Sequence, residues 1–183
     1  MRVAAIIGSN REHSFNRMLV DYIAKTYREQ LDVEIADIRE LPFYNQDHEA
    51  SPPASVLQFR EQIAEADAVL WATPEYNYSI PGVLKNAIDW LSRGDKVLVG
   101  KPSWIVGASM GTLGSVRAQG HLRDILFSPG VSSPLLPGNE VYVGQVHEKF
   151  DAEGRLLHEP TAAFLDIVVS NFLTWHAKQT GRA

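Results

Sequence analysis

The chain has 183 residues, 45% of them hydrophobic, with 22 acidic against 17 basic side chains and a formal charge of −5. That length suits one domain able to bury a sheet on both faces, and the acidic balance excludes a general nucleic-acid binder, which needs a clustered basic surface. With no cysteine present, disulfides, thiolate metal sites and thiol redox chemistry are excluded together, so any redox work falls to a bound cofactor.

Residues 3–7 (Val-Ala-Ala-Ile-Ile) form a short continuous apolar run bounded by turn residues, the pattern of a strand buried on both faces. The run is too short for a signal peptide, and no other segment approaches the ~18 apolar residues of a spanning helix. A soluble cytoplasmic protein with no membrane partner is expected. A polar loop, residues 8–16, precedes a segment of helical period carrying Met18, Ile23 and Tyr27. Residues 33–38 alternate more and suit a strand nearer the sheet edge. Residues 38–55, with Pro42, Pro52 and Pro53, read as a long surface loop, followed by a helical pattern at Val56, Phe59 and Ile63. A second buried strand is expected at 68–73, then a proline-bounded loop and a helix through Val83, Leu84, Ala87, Ile88 and Leu91. A third such strand spans 103–107 and leads into the loop Ala108-Ser109-Met110-Gly111-Thr112. After the Ser-, Pro- and Gly-rich residues 128–138 come a last strand at 140–143 and a helix from about Pro160, suited to a first turn, through Phe164, Ile167, Val168, Phe172 and Trp175. Trp71 and Trp90 fall in the apolar period and are assigned to packing. Alternating strands and helices imply a parallel sheet with right-handed crossovers, an α/β doubly wound fold over residues 1–183.

Three loops then follow strands on one edge of the sheet and make a single site. In the first, Ser14 is a helix N-cap candidate, and the exposed N–H groups behind it sit at the positive end of the helix dipole. Ser9, Ser14 and Asn16 add side-chain donors and Arg11 a fixed positive charge, a set suited to one terminal phosphate. His13 reads as a solvated loop residue. The Gly-x-Gly-x-x-Gly spacing and the Gly-Lys-Ser/Thr ending of other nucleotide loops are missing. In the second loop, Pro74 and Pro81 stiffen the backbone, Tyr76 and Tyr78 offer flat faces, and Asn77 supplies donor and acceptor. This suits the edge of a flat heteroaromatic with alternating imide groups, as in a flavin.

The motifs Gly8-Ser-Asn-Arg-Glu-His-Ser-Phe-Asn16, Pro74-Glu-Tyr-Asn77, Leu84-Lys-Asn-Ala-Ile-Asp-Trp90 and Arg117-Ala-Gln119 together resemble the NAD(P)H-dependent FMN reductases of flavodoxin-like fold, which include quinone and chromate reductases. The resemblance implies a five-stranded parallel sheet in a three-layer sandwich, with bound FMN. Ser9, Asn10, Arg11, Glu12, His13, Ser14, Phe15 and Asn16 would wrap its phosphate. Pro74, Glu75, Tyr76 and Asn77 would contact the isoalloxazine edge, and Ser109 would complete the pocket. Asn10 and His13 stand where other side chains are frequent in the family. The resemblance further implies that NADH or NADPH gives a hydride to flavin N5 and leaves, after which a quinone, free flavin, azo compound or metal oxyanion is reduced in the same place. Such a ping-pong cycle needs no protein nucleophile or general base, so no catalytic residue is named. A homodimer or homotetramer, with the site near a subunit interface, also follows from the resemblance.

Two other readings compete. Residues 107–111 match Gly-x-Ser-x-Gly, a nucleophile elbow, with Asp124, Asp151 or Asp166 and His147, His158 or His176 formally available for a triad. That serine hydrolase would lack a His-Gly-Gly oxyanion loop and would leave the first two loops unexplained; His176 is expected on the helix surface. A flavodoxin-like electron carrier would share the cofactor but is usually more strongly acidic. No His-x-x-x-His or His-Glu-x-x-His spacing occurs, His147-Glu148 reads as a loop pair, and no metal is expected.

Overall fold

Alternate residues of each central strand enter opposite hydrophobic cores, as the two-residue period of an extended chain requires. The computed structural model describes residues 1–181. Its elements follow in the order β1 (Arg2–Ile7), α1 (Phe15–Thr26), β2 (Asp32–Ile35), α2 (Ala54–Glu65), β3 (Ala68–Ala72), α3 (Gly82–Leu91), β4 (Ser103–Ala108), α4 (Val116–Phe127), β5 (Val141–Val143) and α5 (Glu159–Gln179). The strands pair in parallel in the order β2-β1-β3-β4-β5. Val3, Ala5 and Ile7 of β1 face a core with Leu19 and Ile23 of α1 and Leu165, Val168 and Phe172 of α5. Ala4 and Ile6 face the other core, with Phe59 of α2, Leu84 and Ile88 of α3 and Leu122 of α4. The result is the expected three-layer sandwich.

Packing explains the tryptophans. Trp71 and Trp90 are fully buried, and Trp104 lies 3.9 Å, centroid to centroid, from Phe172, joining β4 to α5. β2 is shorter than the 33–38 expected from alternation. The ladder with β1 runs from Asp32 to Ile35 and closes with Ala36 N–H donating to the Ala5 carbonyl at 2.9 Å, and the half-buried Val33 and Ile35 mark an edge strand. β5 begins at Val141, one residue later than expected. His176 is a correction: it is buried, with Nε2 3.3 Å from the Asp67 carbonyl oxygen and its ring against Phe172. The α5 period places it at the sheet end opposite the loops, where the β3 entry covers it.

The loop between β2 and α2 is surface chain with one 3-10 turn, Gln46–His48. It is nevertheless tied to α3. Asn86 Nδ2 and the Trp90 indole N–H donate to the Pro42 carbonyl at 3.0 and 2.8 Å, and Tyr44 N–H donates to Asn86 Oδ1 at 2.7 Å. The order of strands reverses between β1 and β3, so the chain leaving β1 and the chain leaving β3 diverge to opposite faces. The crevice they leave at the carboxyl ends of the strands is where doubly wound sheets bind ligands.

Candidate functional site

The loop after β1 ends on Ser14, whose extended backbone and hydroxyl cap α1: Ser14 Oγ accepts from Arg17 N–H at 3.4 Å. The first intrahelical bond runs from Met18 N–H to the Ser14 carbonyl, so the N–H groups of Phe15 and Asn16 lie ahead of the helical ladder. Arg11 lies 5.5 Å over the Phe15 ring. The helix end is therefore polar, positively biased and fixed in direction.

The loop after β3 is a tight hairpin. Tyr76 and Ser79 exchange both backbone hydrogen bonds at 3.0 Å around Asn77 and Tyr78, which sit at φ 51° and 66°. Consecutive left-handed residues define the primed turns that close two-residue hairpins. Asn tolerates that region; a tyrosine there costs of the order of 1 kcal/mol and must be held by its surroundings. The surroundings are α4. Glu75 Oε2 accepts from the N–H groups of Arg117 and Ala118 at 2.8 and 3.1 Å, doing for α4 what Ser115, which makes no cap, does not. The Arg117 guanidinium lies 4.3 Å over the Tyr78 ring, and Ser79 Oγ is 2.7 Å from His121 Nδ1. Glu75→Ala is expected to cost about 1 kcal/mol by uncapping α4, read as a lower midpoint in urea unfolding; an unchanged midpoint would contradict the capping role.

The third loop leaves β4 through Ala108. Asn16 reaches across to it: its Oδ1 accepts from Ala108 N–H at 2.9 Å and its Nδ2 donates to the Ala108 carbonyl at 3.0 Å, with the side chain buried. Loops one and three are thus joined by a two-bond clamp. Below them Gly107 is indispensable in its place, since a Cβ there would lie 1.8 Å from Ser115 Oγ and 2.7 Å from the Thr73 carbonyl oxygen.

These loops flank an open cleft of about 180 Å³ lined by Ser9, Arg11, Ser14, Phe15, Asn16, Pro74, Glu75, Tyr76 and Ser109, with Ala108 and Met110. Of the other residues predicted from sequence, Asn10 and Glu12 line a neighbouring groove, while Asn77 and His13 line neither. Two side chains have other work than expected. The Asn16 amide, read as an anion donor, is committed to Ala108, and the Glu75 carboxylate, read at the ring edge, is committed to α4. Arg117 stood out only as part of the Arg117-Ala-Gln119 motif and His121 carried no signal, because the contacts that make them site neighbours join distant segments. Met110 carried no signal beyond its place in the third loop.

Ser109 is not a triad nucleophile. Its hydroxyl lies 2.6 Å from the Gly114 carbonyl oxygen and 3.2 Å from that of Gly111. His147, His158 and His176 pair instead with Glu148, Thr161 and the Asp67 carbonyl. Among the described residues no group of three or more His, Asp or Glu is placed to hold a metal ion, and no helix is long and apolar enough to cross a membrane.

Residues 1–148 match the family model for NADPH-dependent FMN reductase. The chain is 40% identical over 183 residues to an NAD(P)H-dependent FMN reductase of Pseudomonas aeruginosa, covering 99% of this chain and 98% of that one. It is 46% identical over 166 residues to a quinone reductase of Escherichia coli, covering 88% and 87%. Among solved structures, a flavoenzyme NAD(P)H:(acceptor) oxidoreductase of Paracoccus denitrificans superposes with a TM-score of 0.88 at 38% identity, covering 97% and 98%. The sheet order, the cleft at its switch point and these likenesses together establish that the chain belongs to the NADPH-dependent FMN reductase family, oxidoreductases of flavodoxin-like fold that use FMN and a reduced nicotinamide nucleotide.

Proposed function

We propose that this protein is an NAD(P)H-dependent reductase of quinones and related acceptors, including free flavins, azo compounds and metal oxyanions, working by a ping-pong cycle through FMN held in the cleft. The observation that carries the reading is the meeting of the capped α1 terminus, the rigid 74–79 hairpin and the Ser109 loop in one cleft at the switch point. The residues fit the cofactor. A phosphate finds the N–H groups of Phe15 and Asn16, the Ser9 and Ser14 hydroxyls and the Arg11 guanidinium. Asn10, Glu12 and His13 complete the same turn, which is held by Arg11 N–H donating to Ser9 Oγ at 3.3 Å. Bound FMN supplies the hydride acceptor and donor that the chain itself lacks. Pro74, Glu75, Tyr76 and Asn77 would lie along the ring edge, made rigid by the Tyr76–Ser79 hairpin bonds and by the attachment of Glu75 to α4. Ser109, with its hydroxyl turned into its own loop, shapes the wall opposite. This arrangement would orient the ring, and in so open a cleft acceptors would be selected by access more than by specific contacts.

The test is an absorption spectrum of the purified protein with FMN, before and after anaerobic NADPH and then NADH. Flavin bands that bleach with a nucleotide and return with a quinone are expected. Bands that persist until a partner reductase is added would make it an electron carrier, and failure to bind FMN would sink the reading. The cysteine-free composition suits action in the cytoplasm.

The partner we infer is a second copy of the chain, as homodimer or homotetramer. Phe43 is 88% exposed at the tip of a loop whose neighbours Pro42 and Tyr44 are clamped to α3. Tyr44 packs edge-on to Trp90 and under Arg93, and its hydroxyl bonds Glu49. A rigidly displayed aromatic is an anchor for an interface. Phe43→Asp is expected to shift the protein to monomer in sedimentation; unchanged mass would remove this surface from consideration.

A further inference from the structure

The chain has three methionines and no cysteine, so its only peroxide-reactive sulfur atoms are thioethers. Met1 and Met18 are partly buried, packed against the core that α1 and α5 share. Met110 differs in both properties that govern oxidation, exposure and access to an oxidant. It is 58% exposed, and it lines the cleft assigned to FMN together with Ser109 and Tyr76. Its loop is pinned on either side of it. Ser109 N–H donates to the Val143 carbonyl at 2.9 Å, Val146 N–H donates to the Ser109 carbonyl at 3.1 Å, and Gln145 N–H donates to that of Gly111 at 3.0 Å. Gly144 permits this close approach, because a Cβ there would lie 2.1 Å from the Thr112 carbonyl oxygen. The thioether is therefore held at the mouth of a cleft too open to keep dioxygen from a reduced flavin.

We propose that Met110 is a site of reversible oxidation, its thioether converted to the sulfoxide by hydrogen peroxide formed in the flavin cleft. The inference rests on FMN being held and reduced in that cleft, as read above. When no other acceptor is at hand, two electrons and two protons pass from the reduced flavin to dioxygen, giving oxidised flavin and hydrogen peroxide. A lone pair of the Met110 sulfur then attacks one peroxide oxygen. The S–O bond forms as the O–O bond breaks, and the departing hydroxide takes the proton left on the transferred oxygen and leaves as water. Sulfur is oxidised by two electrons and the peroxide is reduced by two. Peroxide formed beside Met110 meets it at a local concentration that the bulk solution does not reach. The sulfoxide sets a polar oxygen in a cleft whose lining includes Phe15, Pro74 and Tyr76, and so hinders the entry of apolar acceptors. An enzyme losing its electrons to dioxygen thus slows itself, and a thiol-dependent methionine sulfoxide reductase restores it.

The experiment is peptide mass spectrometry of FMN-loaded protein after repeated turnover with reduced nicotinamide nucleotide in air, with catalase in solution to destroy peroxide that escapes the cleft. The peptide holding Met110 should gain the mass of one oxygen atom about tenfold more often than the peptide holding Met18, as exposure dictates. The gain should be absent after as many turnovers on a quinone without oxygen. The native rate with quinone should fall as the modification accumulates and return on treatment with methionine sulfoxide reductase and a thiol. Met110→Leu, measured against its own starting rate, should show no such fall. Equal oxidation of Met110 and Met18, or none at Met110 while catalase is present, overturns the proposal, and a decline shared by Met110→Leu overturns the role given to the sulfoxide. Each of these leaves the flavin reading intact, because bleaching of bound FMN is followed in the same sample. Flavin that does not bind, or does not bleach with the nucleotide, would instead overturn the function on which the proposal rests.

Discussion

Gly107→Ala is expected to lower stability by about 3 kcal/mol or more, a large part of the 5–15 kcal/mol that holds a typical domain. The reason is geometric. The new methyl group would stand 1.8 Å from Ser115 Oγ, 2.7 Å from Gln119 Nε2 and 2.7 Å from the Thr73 carbonyl oxygen. Ser115 and Gln119 are fully buried, and Gln119 Nε2 is held by Ser115 Oγ and the Val141 carbonyl. None of these can turn away into solvent. The Thr73 oxygen is backbone of the strand-end segment, which accepts no local shift. For a chain of this size a loss of about 3 kcal/mol should lower the melting temperature by roughly 6–12 °C. Adding Ser115→Ala should recover only part of this, since the Thr73 contact remains. A fall of less than about 3 °C would show that α4 can slide away from β4. Because α4 also receives Glu75, any such slide should weaken FMN binding as well.

Asn16→Ala is expected to cost about 2–4 kcal/mol and to weaken FMN binding by tenfold or more. The side chain satisfies both the N–H and the carbonyl of Ala108, in a region closed to water. Removing it leaves a donor and an acceptor unpaired, each at about 1–3 kcal/mol. It also frees the loop after β1 from the loop after β4, so the two walls of the cleft lose their fixed separation. Asn16→Asp separates these effects. Its carboxylate accepts from Ala108 N–H but faces the Ala108 carbonyl without a proton to donate, which raises the pKa of the carboxyl in the folded state. Stability gained from protonation is then fully present below the unfolded carboxylate value of about 3.9 and is lost as pH rises through the folded value. The variant should therefore approach native FMN affinity at acid pH and fall away towards neutrality. Equal FMN affinity for native and Asn16→Ala protein would show that the clamp serves stability alone.

Much of this architecture was legible in the residues. The continuous apolar runs at 3–7, 68–73 and 103–107 became the three central strands, because a strand buried on both faces has no polar face to show. Ser14 capped its helix as read, since a cap bond spans only three residues. Pro160 stood in the first turn of the last helix, and Trp71 and Trp90 went to the core. The misreadings share a cause. Asn16 looks like an anion donor beside Ser14, and Glu75 looks like part of a ligand edge, until the chain brings Ala108 and α4 to them. Those partners are 92 and 42 residues away. The expected strand ran past the end of β2 because burial continues beyond the pairing: Ala36 and Ile38 are buried in the other core although the ladder with β1 has ended. His176 read as a surface residue because an amphipathic period says which side chains share a face, not what covers them.

The sequence by itself determined the layer order, the strand-end position of the three loops and the family to which they belong, through signals that act over a few residues: period, capping and turn chemistry. Only the tertiary structure decided which polar groups are spent in holding those loops together and which remain to face a ligand. Hydrogen-bonding capacity is finite, and a partner distant in sequence competes for it only once the sheet has brought both ends to the same edge.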